Sequence, residues 1–407
     1  MSDSAVSPIH DDAKARRVVI ILVWAQSVLG AQMPVHIILG PLVGKMLAED
    51  PALATLPISM TMLVTMFAAP AMSAIMGRWG RRTGFILGAL CGILSSALAV
   101  WAIETKDFQL FCIASAVLGV YMGGHGFYRF AATDLASAEY RPKAISWVMA
   151  GGLMSAIIGP ELAKQFDDWL APIPYAGAYQ ISMIVAIIGV IPLFLLEIPV
   201  LKKEEAAAGP SRSWGELLTD RTIVVAMLCG MVAYALMNLA MTSTPLAMEA
   251  CGFISDDSAD VVRIHVLLMF APSFFTGALI ARFGAVRIIA VGLGILALCA
   301  IVALMGITFF HFAIALGLLG VGWNFGFIGA TALLAAAHSP AERTRVQGLN
   351  DFLVFGLVTV ASFSSGALMH SFGWDAVNMG MFPAIALAVV ALGWLVLANR
   401  RAAAQGV

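Results

Sequence analysis

The chain has 407 residues, 61% hydrophobic and only 12% charged, with 23 basic and 24 acidic side chains. A soluble domain carries about 25% charged residues, and the mean hydropathy here is +0.93. These values exclude a soluble enzyme, a disordered scaffold and a nucleic-acid binder, and predict an integral membrane protein. Apolar stretches follow in chain order over 18–40, 54–76, 85–103, 108–131, 144–163, 175–197, 222–245, 261–281, 286–306, 312–336, 346–369 and 376–398. Each is near the roughly 20 residues a helix needs to cross the hydrocarbon. Alternating strand patterns are absent, so helices are the predicted spans. Met1–Arg17 is polar and shows no cleavage pattern of small residues, so the first span is expected to be retained.

Lys and Arg set the expected orientation. With both termini placed inside, 19 of the 23 basic residues fall on inner segments, and only Lys45, Lys106, Lys164 and Arg263 lie outside. That skew predicts a multi-pass protein of the cytoplasmic (inner) membrane with both termini cytoplasmic. The central segment from Pro199 is polar and divides the spans six and six. The expected organisation is a cytoplasmic tail over 1–17, a six-helix bundle over 18–198, a central cytoplasmic loop over 199–221, a second six-helix bundle over 222–398 and a short tail over 399–407.

The halves share a local pattern. After span two comes Gly77-Arg78-Trp79-Gly80-Arg81-Arg82, and after span eight comes Ala281-Arg282-Phe283-Gly284. Arg78 and Arg282 are 204 positions apart, a parallel duplication of six-helix halves. Twelve spans, a central loop and this basic turn in both halves resemble the major facilitator superfamily. The resemblance implies an all-α membrane protein of two pseudo-symmetric six-helix bundles, with substrate bound between them. It also implies a topological or gating role for Arg78, Arg81, Arg82 and Arg282. Gly77 stands where the family's loop usually has an acidic residue.

The chain holds 22 methionines, several of them in span seven. Met237 and Met241 are four apart and share a helix face, as do His265 and Met269 in span eight. Spans seven and eight run in opposite directions, so both pairs are expected at similar depth. Thioethers and a neutral imidazole suit Cu(I) and discriminate against hard cations. Met237-Asn-Leu-Ala-Met241 and His265-Val-Leu-Leu-Met269 resemble the paired motifs of CcoA-type copper importers. That resemblance implies import of copper as the transported substrate, for heme–copper oxidase assembly, with no resident cofactor. It implies Met237, Met241, His265 and Met269 as ligands and Cys229 and Cys251 as accessory metal or redox residues. Copper, lipid and a cytoplasmic copper acceptor are the expected partners, and a monomer the expected state.

Other intramembrane polar residues are weaker candidates. Met33, offset from Met237 by the repeat distance, and His36 offer ligands from the first half. Glu161, Asp351, Asp134 and Arg129 are candidate coupling residues, and Arg129 is expected to pair with Asp134 at the inner rim. His125 lies in the Gly-rich end of span four. Related transporters without the Met/His motifs are associated with riboflavin uptake, so an organic-solute transporter, by flavin-like uptake or drug efflux, is the alternative. Trp24, Gln26, Gln32, Phe127, Tyr128, Trp323 and Asn324 are the residues that could serve such a solute. A non-transporting receptor on the same fold is the remaining class. No phosphate loop, nucleophile elbow or HExxH motif occurs, so no enzymatic activity is expected.

Overall fold

A computed structural model describes residues 11–50, 53, 56–166, 169–198 and 211–404. The first ten residues of the predicted N-terminal tail, most of the central loop and the last three residues lie outside the described ones. Among the described residues the chain is helical, with no strand. Eleven helices are long and apolar enough to cross a membrane, and a pair bent by 40° makes a twelfth. Internal bonding of every peptide group is what lipid requires, and only helices give that to a chain of this pattern.

The spans run Asp12–Leu47, Leu56–Trp79, Arg81–Thr105, Phe108–Ala131, Arg141–Gln165 and Ala176–Leu195 in the first half. Arg221–Ala250, the bent pair Asp260–Phe270 with Ser273–Phe283, Ala285–Met305, Phe309–Ala337, Arg343–Met369 and Ser371–Arg401 form the second. They are numbered one to twelve below. Carboxylates cap several starts: Asp11 accepts from Ala13 and Lys14, Asp107 from Leu110, and Asp220 from Thr222 and Ile223. These satisfy orphan N–H groups and place negative charge at the positive helix end.

The repeat is visible in the backbone. Gly80 and Gly284, also 204 apart, open spans three and nine with φ +88 and φ +85. Only glycine adopts that conformation without strain. Arg78 lies over Trp79 and Arg282 over Phe283, at 5.2 and 5.1 Å.

Spans one, four and eight are interrupted. Span one tightens to a 3₁₀ turn at Leu29–Ala31. Span four breaks between His125 and Tyr128. Span eight bends at Ala271-Pro272, where proline supplies no N–H. There Asn324 Nδ2 donates to Met269 O at 2.8 Å and to Ser273 Oγ at 2.6 Å, while its Oδ1 accepts from Thr276 at 2.6 Å.

The halves meet where span two packs on span eleven and span five on span eight. The joining contacts sit toward the arginine-rich end. Ser73 Oγ donates to Thr344 O at 2.8 Å, and Ser146 Oγ accepts from Gly277 N at 2.8 Å. Gly77 faces Thr344 so closely that a Cβ would collide with its hydroxyl. The apolar core follows the same division. At the arginine-rich end one cluster runs from Met72, Met76 and Phe127 into Ala226, Met227, Leu334 and Val346 of the second half. At the opposite end Val35, Leu39, Val43, Phe111 and Tyr179 form a cluster wholly of the first half. Ala235, Leu239, Ala361 and Val377 form one wholly of the second.

Candidate functional site

Two structures occupy the seam between the halves. The first is a set of charges. Arg129, just past the break in span four, pairs with Asp351 of span eleven; their side chains are 5% and 0% exposed. Arg129 Nη1 also donates to Gly126 O at 2.7 Å, taking a carbonyl that the break frees. Its guanidinium lies between the rings of Phe130 and Phe327, at 4.6 and 4.8 Å. Asn350 donates to Asp351 Oδ1 at 2.8 Å. Asp351 Oδ2 and Arg129 Nε have no hydrogen-bond partner among the described residues. Gly126 admits this carboxylate: a Cβ there would sit 2.9 Å from Asp351 Oδ2.

The expected Arg129–Asp134 pair is therefore not formed. Asp134 instead bridges Arg81 Nε at 3.0 Å and Arg343 Nη1 at 2.9 Å. Burial opposes its ionisation, but the Arg343 and Arg81 guanidiniums outweigh that and hold the carboxyl below its usual range. Arg81 further donates to Gln347 Oε1 at 2.7 Å, across the halves. Of the four arginines expected to act at the turns, only Arg81 is buried; Arg78, Arg82 and Arg282 are exposed. Glu161 is exposed on span five and accepts from Gln165, on its own helix, at 2.7 Å.

The second structure is a band of rings at mid-depth in the second half. Tyr234 of span seven meets Trp323 and Phe327 of span ten at 5.6 and 5.1 Å, and Phe355 of span eleven at 5.9 Å. Trp323 stacks on Phe327 at 5.2 Å, and Phe270 of span eight closes on Trp323 at 5.9 Å. The band faces the first half, since Phe327 carries Arg129, Phe355 approaches Gly126, and Phe270 lies against Gly152.

The residues expected to bind metal are distributed otherwise. His265 is fully buried, and its partner is Leu316 O of span ten, bonded to Nδ1 at 2.9 Å. Nε2 is left unpartnered among the described residues. Met237 is buried in the core of the second half, with Met241 and Met269 half-buried against it. Cys229 is buried and Cys251 exposed, both as free thiols. They lie on one helix about 33 Å apart at 1.5 Å per residue, which separates them as a redox pair. His36 does not face the seam. It is 2% exposed and bonded to Thr61 at 3.1 Å and Tyr179 at 3.3 Å inside the first half. Met33 is half-buried against the first half's core.

Of the residues set aside for an organic solute, Trp323 is in the ring band. Phe127 and Tyr128 are buried in the first half, Gln26 packs on Gly151, Gln32 on Gly92, and Trp24 is 45% exposed. Asn324 is spent on the span-eight bend. Sequence reading passed over Tyr234 and Asn238, which share span seven's face one turn apart. Their spacing was the available signal, obscured by the methionine pairs beside them.

A buried charge pair at the junction of two six-helix halves, with an aromatic floor at mid-depth, belongs to a membrane carrier that works between its halves. Residues 19–254 match the model of the Major Facilitator Superfamily. The chain is 42% identical over 383 residues to the riboflavin transporter RfnT of Brucella anthropi, covering 94% of this chain and 96% of that one. In fold it is similar to the human organic anion transporter MFSD10 (TM-score 0.77, 16% identity, 93% of this chain and 99% of that one). It is also similar to the fucose:proton symporter FucP of E. coli (TM-score 0.73, 14% identity, 95% and 99%). The chain belongs to the major facilitator superfamily and is a secondary transporter. The copper-importer expectation gains no support from these relatives, which favour the organic-solute alternative.

Proposed function

We propose that this protein takes up riboflavin, or a solute of the same planar heteroaromatic kind, by alternating access. The observation that carries this reading is the 42% identity to a riboflavin transporter across nearly the full length of both chains. The geometry supports it. With the arginine-rich end toward the cytoplasm, as the basic-residue skew favours, the halves are sealed inside and separate outside. Solute enters from outside and reaches the ring band. Release inward requires Arg129 to leave Asp351 and Arg81 to leave Gln347, while the outer ends close. The test is uptake of labelled riboflavin by a riboflavin-requiring bacterium expressing the intact chain. Saturable uptake and growth at limiting riboflavin, both absent with empty vector, are expected. No uptake above vector would overturn the reading.

One observation favours copper as a second reading. His265 donates Nδ1–H to a backbone carbonyl and keeps Nε2 free, the arrangement typical of a metal-bound histidine. Met269 lies one turn away. Copper accumulation that is lost in His265→Ala while riboflavin uptake persists would select this reading; copper levels equal to vector would remove it.

A further inference from the structure

Two buried polar atoms at the ring band have no hydrogen-bond partner among the described residues. Trp323 is 2% exposed, yet its Nε1–H has no acceptor among the described residues. Asn238 is 9% exposed, and its Oδ1 has no donor. Asn238 lies four residues after Tyr234, on the same face and one turn nearer the unsealed end. Tyr234 itself sits 5.6 Å from Trp323. A buried donor and a buried acceptor left unpaired each cost free energy. The cost is recovered when a ligand supplies both partners.

The surroundings define that ligand. Tyr234 and Phe270 are only half-buried, so the band keeps an accessible aromatic edge. Across from Phe270 and Phe355 the first half presents Gly152 and Gly126. Among the described residues the guanidinium on the band is that of Arg129, which is already neutralised by Asp351. The site therefore offers ring faces, one N–H donor and one carboxamide, with no free charge. It suits a neutral planar ring, not a sugar or an anion.

We propose that Tyr234, Trp323 and Asn238 form a subsite for a fused heteroaromatic ring carrying a carbonyl beside an N–H. Trp323 Nε1 donates to the ring carbonyl, Asn238 Oδ1 accepts from the ring N–H, and Tyr234 stacks. The isoalloxazine ring of a flavin has such an imide edge, and its ribityl chain is left toward the open side. The assignment to a flavin rests on the proposed riboflavin uptake; the ring chemistry rests on these three residues.

The experiment separates the two. Lumichrome, the chain-free alloxazine form of the flavin ring with the same imide edge, is titrated into the purified full-length protein and followed by quenching of its fluorescence. Saturable binding is expected. Trp323→Phe and Asn238→Ala each weaken it about tenfold, the loss expected for one buried hydrogen bond. Lumichrome methylated on the imide nitrogen binds wild type about tenfold worse and shows no further loss in Asn238→Ala. Tyr234→Ala abolishes binding and Tyr234→Phe restores it, so a folding defect is told apart from loss of stacking. Trp394→Phe, on an exposed surface, leaves binding unchanged. Absence of saturable lumichrome binding, indifference to methylation, or unchanged affinity in Trp323→Phe and Asn238→Ala would overturn the subsite. Lumichrome binding without riboflavin uptake by cells would keep the subsite and discard the transport reading. Riboflavin uptake with no lumichrome binding would do the reverse.

Discussion

At the arginine-rich end the two halves share one apolar cluster and are tied by Arg129–Asp351 and by Asp134 between Arg81 and Arg343. At the opposite end each half keeps a cluster of its own. The sealed end thus combines packing, which any apolar surface could supply, with a few buried charges. A buried ion pair contributes little net stability compared with an apolar pair, yet it is costly to break by removing one partner. That asymmetry suits a gate. The charges specify one closed arrangement, and under the proposed alternating access the pair separates as a unit when spans four and eleven part. Among the described residues, no ion pair found at the unsealed end crosses between the halves.

The comparison is broken most directly at Asp351. Asp351→Ala leaves Arg129 buried without its counter-charge, a loss of about 3–5 kcal/mol. We expect a large fall in melting temperature of the purified protein and loss of uptake. Arg129→Met with Asp351→Leu removes both charges from the same space. It should restore the melt to near wild type and leave uptake absent, with the sealed end still closed to a thiol reagent. A double variant as unstable as Asp351→Ala would show that the pair holds the fold rather than the gate.

Glu342 is the internal control, because its bonds do not cross the seam. Arg212 holds it through a fork at 2.8 Å, and Asp220 shares Arg212 at 2.5 Å, all within the second half and its lead-in. The Arg212 hydrogen bonds hold the Glu342 carboxyl well below the carboxylate range. Its contribution is therefore present above the ordinary value near ~4.3 and fades as pH falls below it. Glu342→Gln should cost about 1–3 kcal/mol at neutral pH, and the deficit against wild type should shrink in acid. Labelling of the sealed end should stay at the wild-type rate. An increase in labelling would place Glu342 among the gate residues.

Much of this architecture was legible. Span number follows from hydropathy alone, and the repeat from the two Gly-Arg turns, because both are local properties. The gate was not. Arg129 has Asp134 five residues away and Asp351 far along the chain, and proximity in sequence suggested the wrong partner. Span four breaks just before Arg129, which turns the guanidinium across the seam. The Met/His reading had a related difficulty. Four-residue spacing shows that His265 and Met269 share a face, but not where it points; the His265 ring is bonded to span ten. The duplication also hid a difference, since the turn residue after Gly80 is Arg81 and after Gly284 is Ala285. One backbone device recurs, but only the first copy carries the charge that crosses to Gln347.

Arg81→Ala sharpens the comparison at a lower level. Asp134 keeps Arg343, so no carboxylate is stranded, and Gln347 loses one charged donor. The expected effect is about 1–2 kcal/mol, or roughly five- to thirtyfold toward the state open at the arginine-rich end. The readout is the labelling rate of a cysteine introduced at Thr344, which the Gly77 contact shields when the gate is closed. An unchanged rate would remove Arg81 from the gate.

The smallest effect is expected from His338, at the end of span ten. Its Nδ1–H donates to Ser339 O at 3.1 Å, and its Nε2 accepts from Gln347 Nε2 at 3.2 Å. A second proton would have to sit on Nε2, facing a donor. Burial disfavours the cation further, and Arg343 and Arg81 nearby repel it, while Asp134 and the Ser339 carbonyl only partly compensate. The closed gate therefore holds His338 below its usual value. A group held neutral in this way stabilises the closed arrangement above its ordinary value near ~6.5 and withdraws that support as pH falls. Acid at the arginine-rich end should thus favour opening, by no more than a few-fold between pH 7.5 and 6, the range where a free histidine titrates. In inverted membrane vesicles, where the orientation proposed above turns that end to the bath, labelling at Thr344 should rise as the bath is acidified. His338→Gln keeps a polar side chain of similar reach and cannot titrate. It should flatten the rise while leaving the rate at pH 7.5 near wild type. If the slope survives in His338→Gln, the proton acts elsewhere.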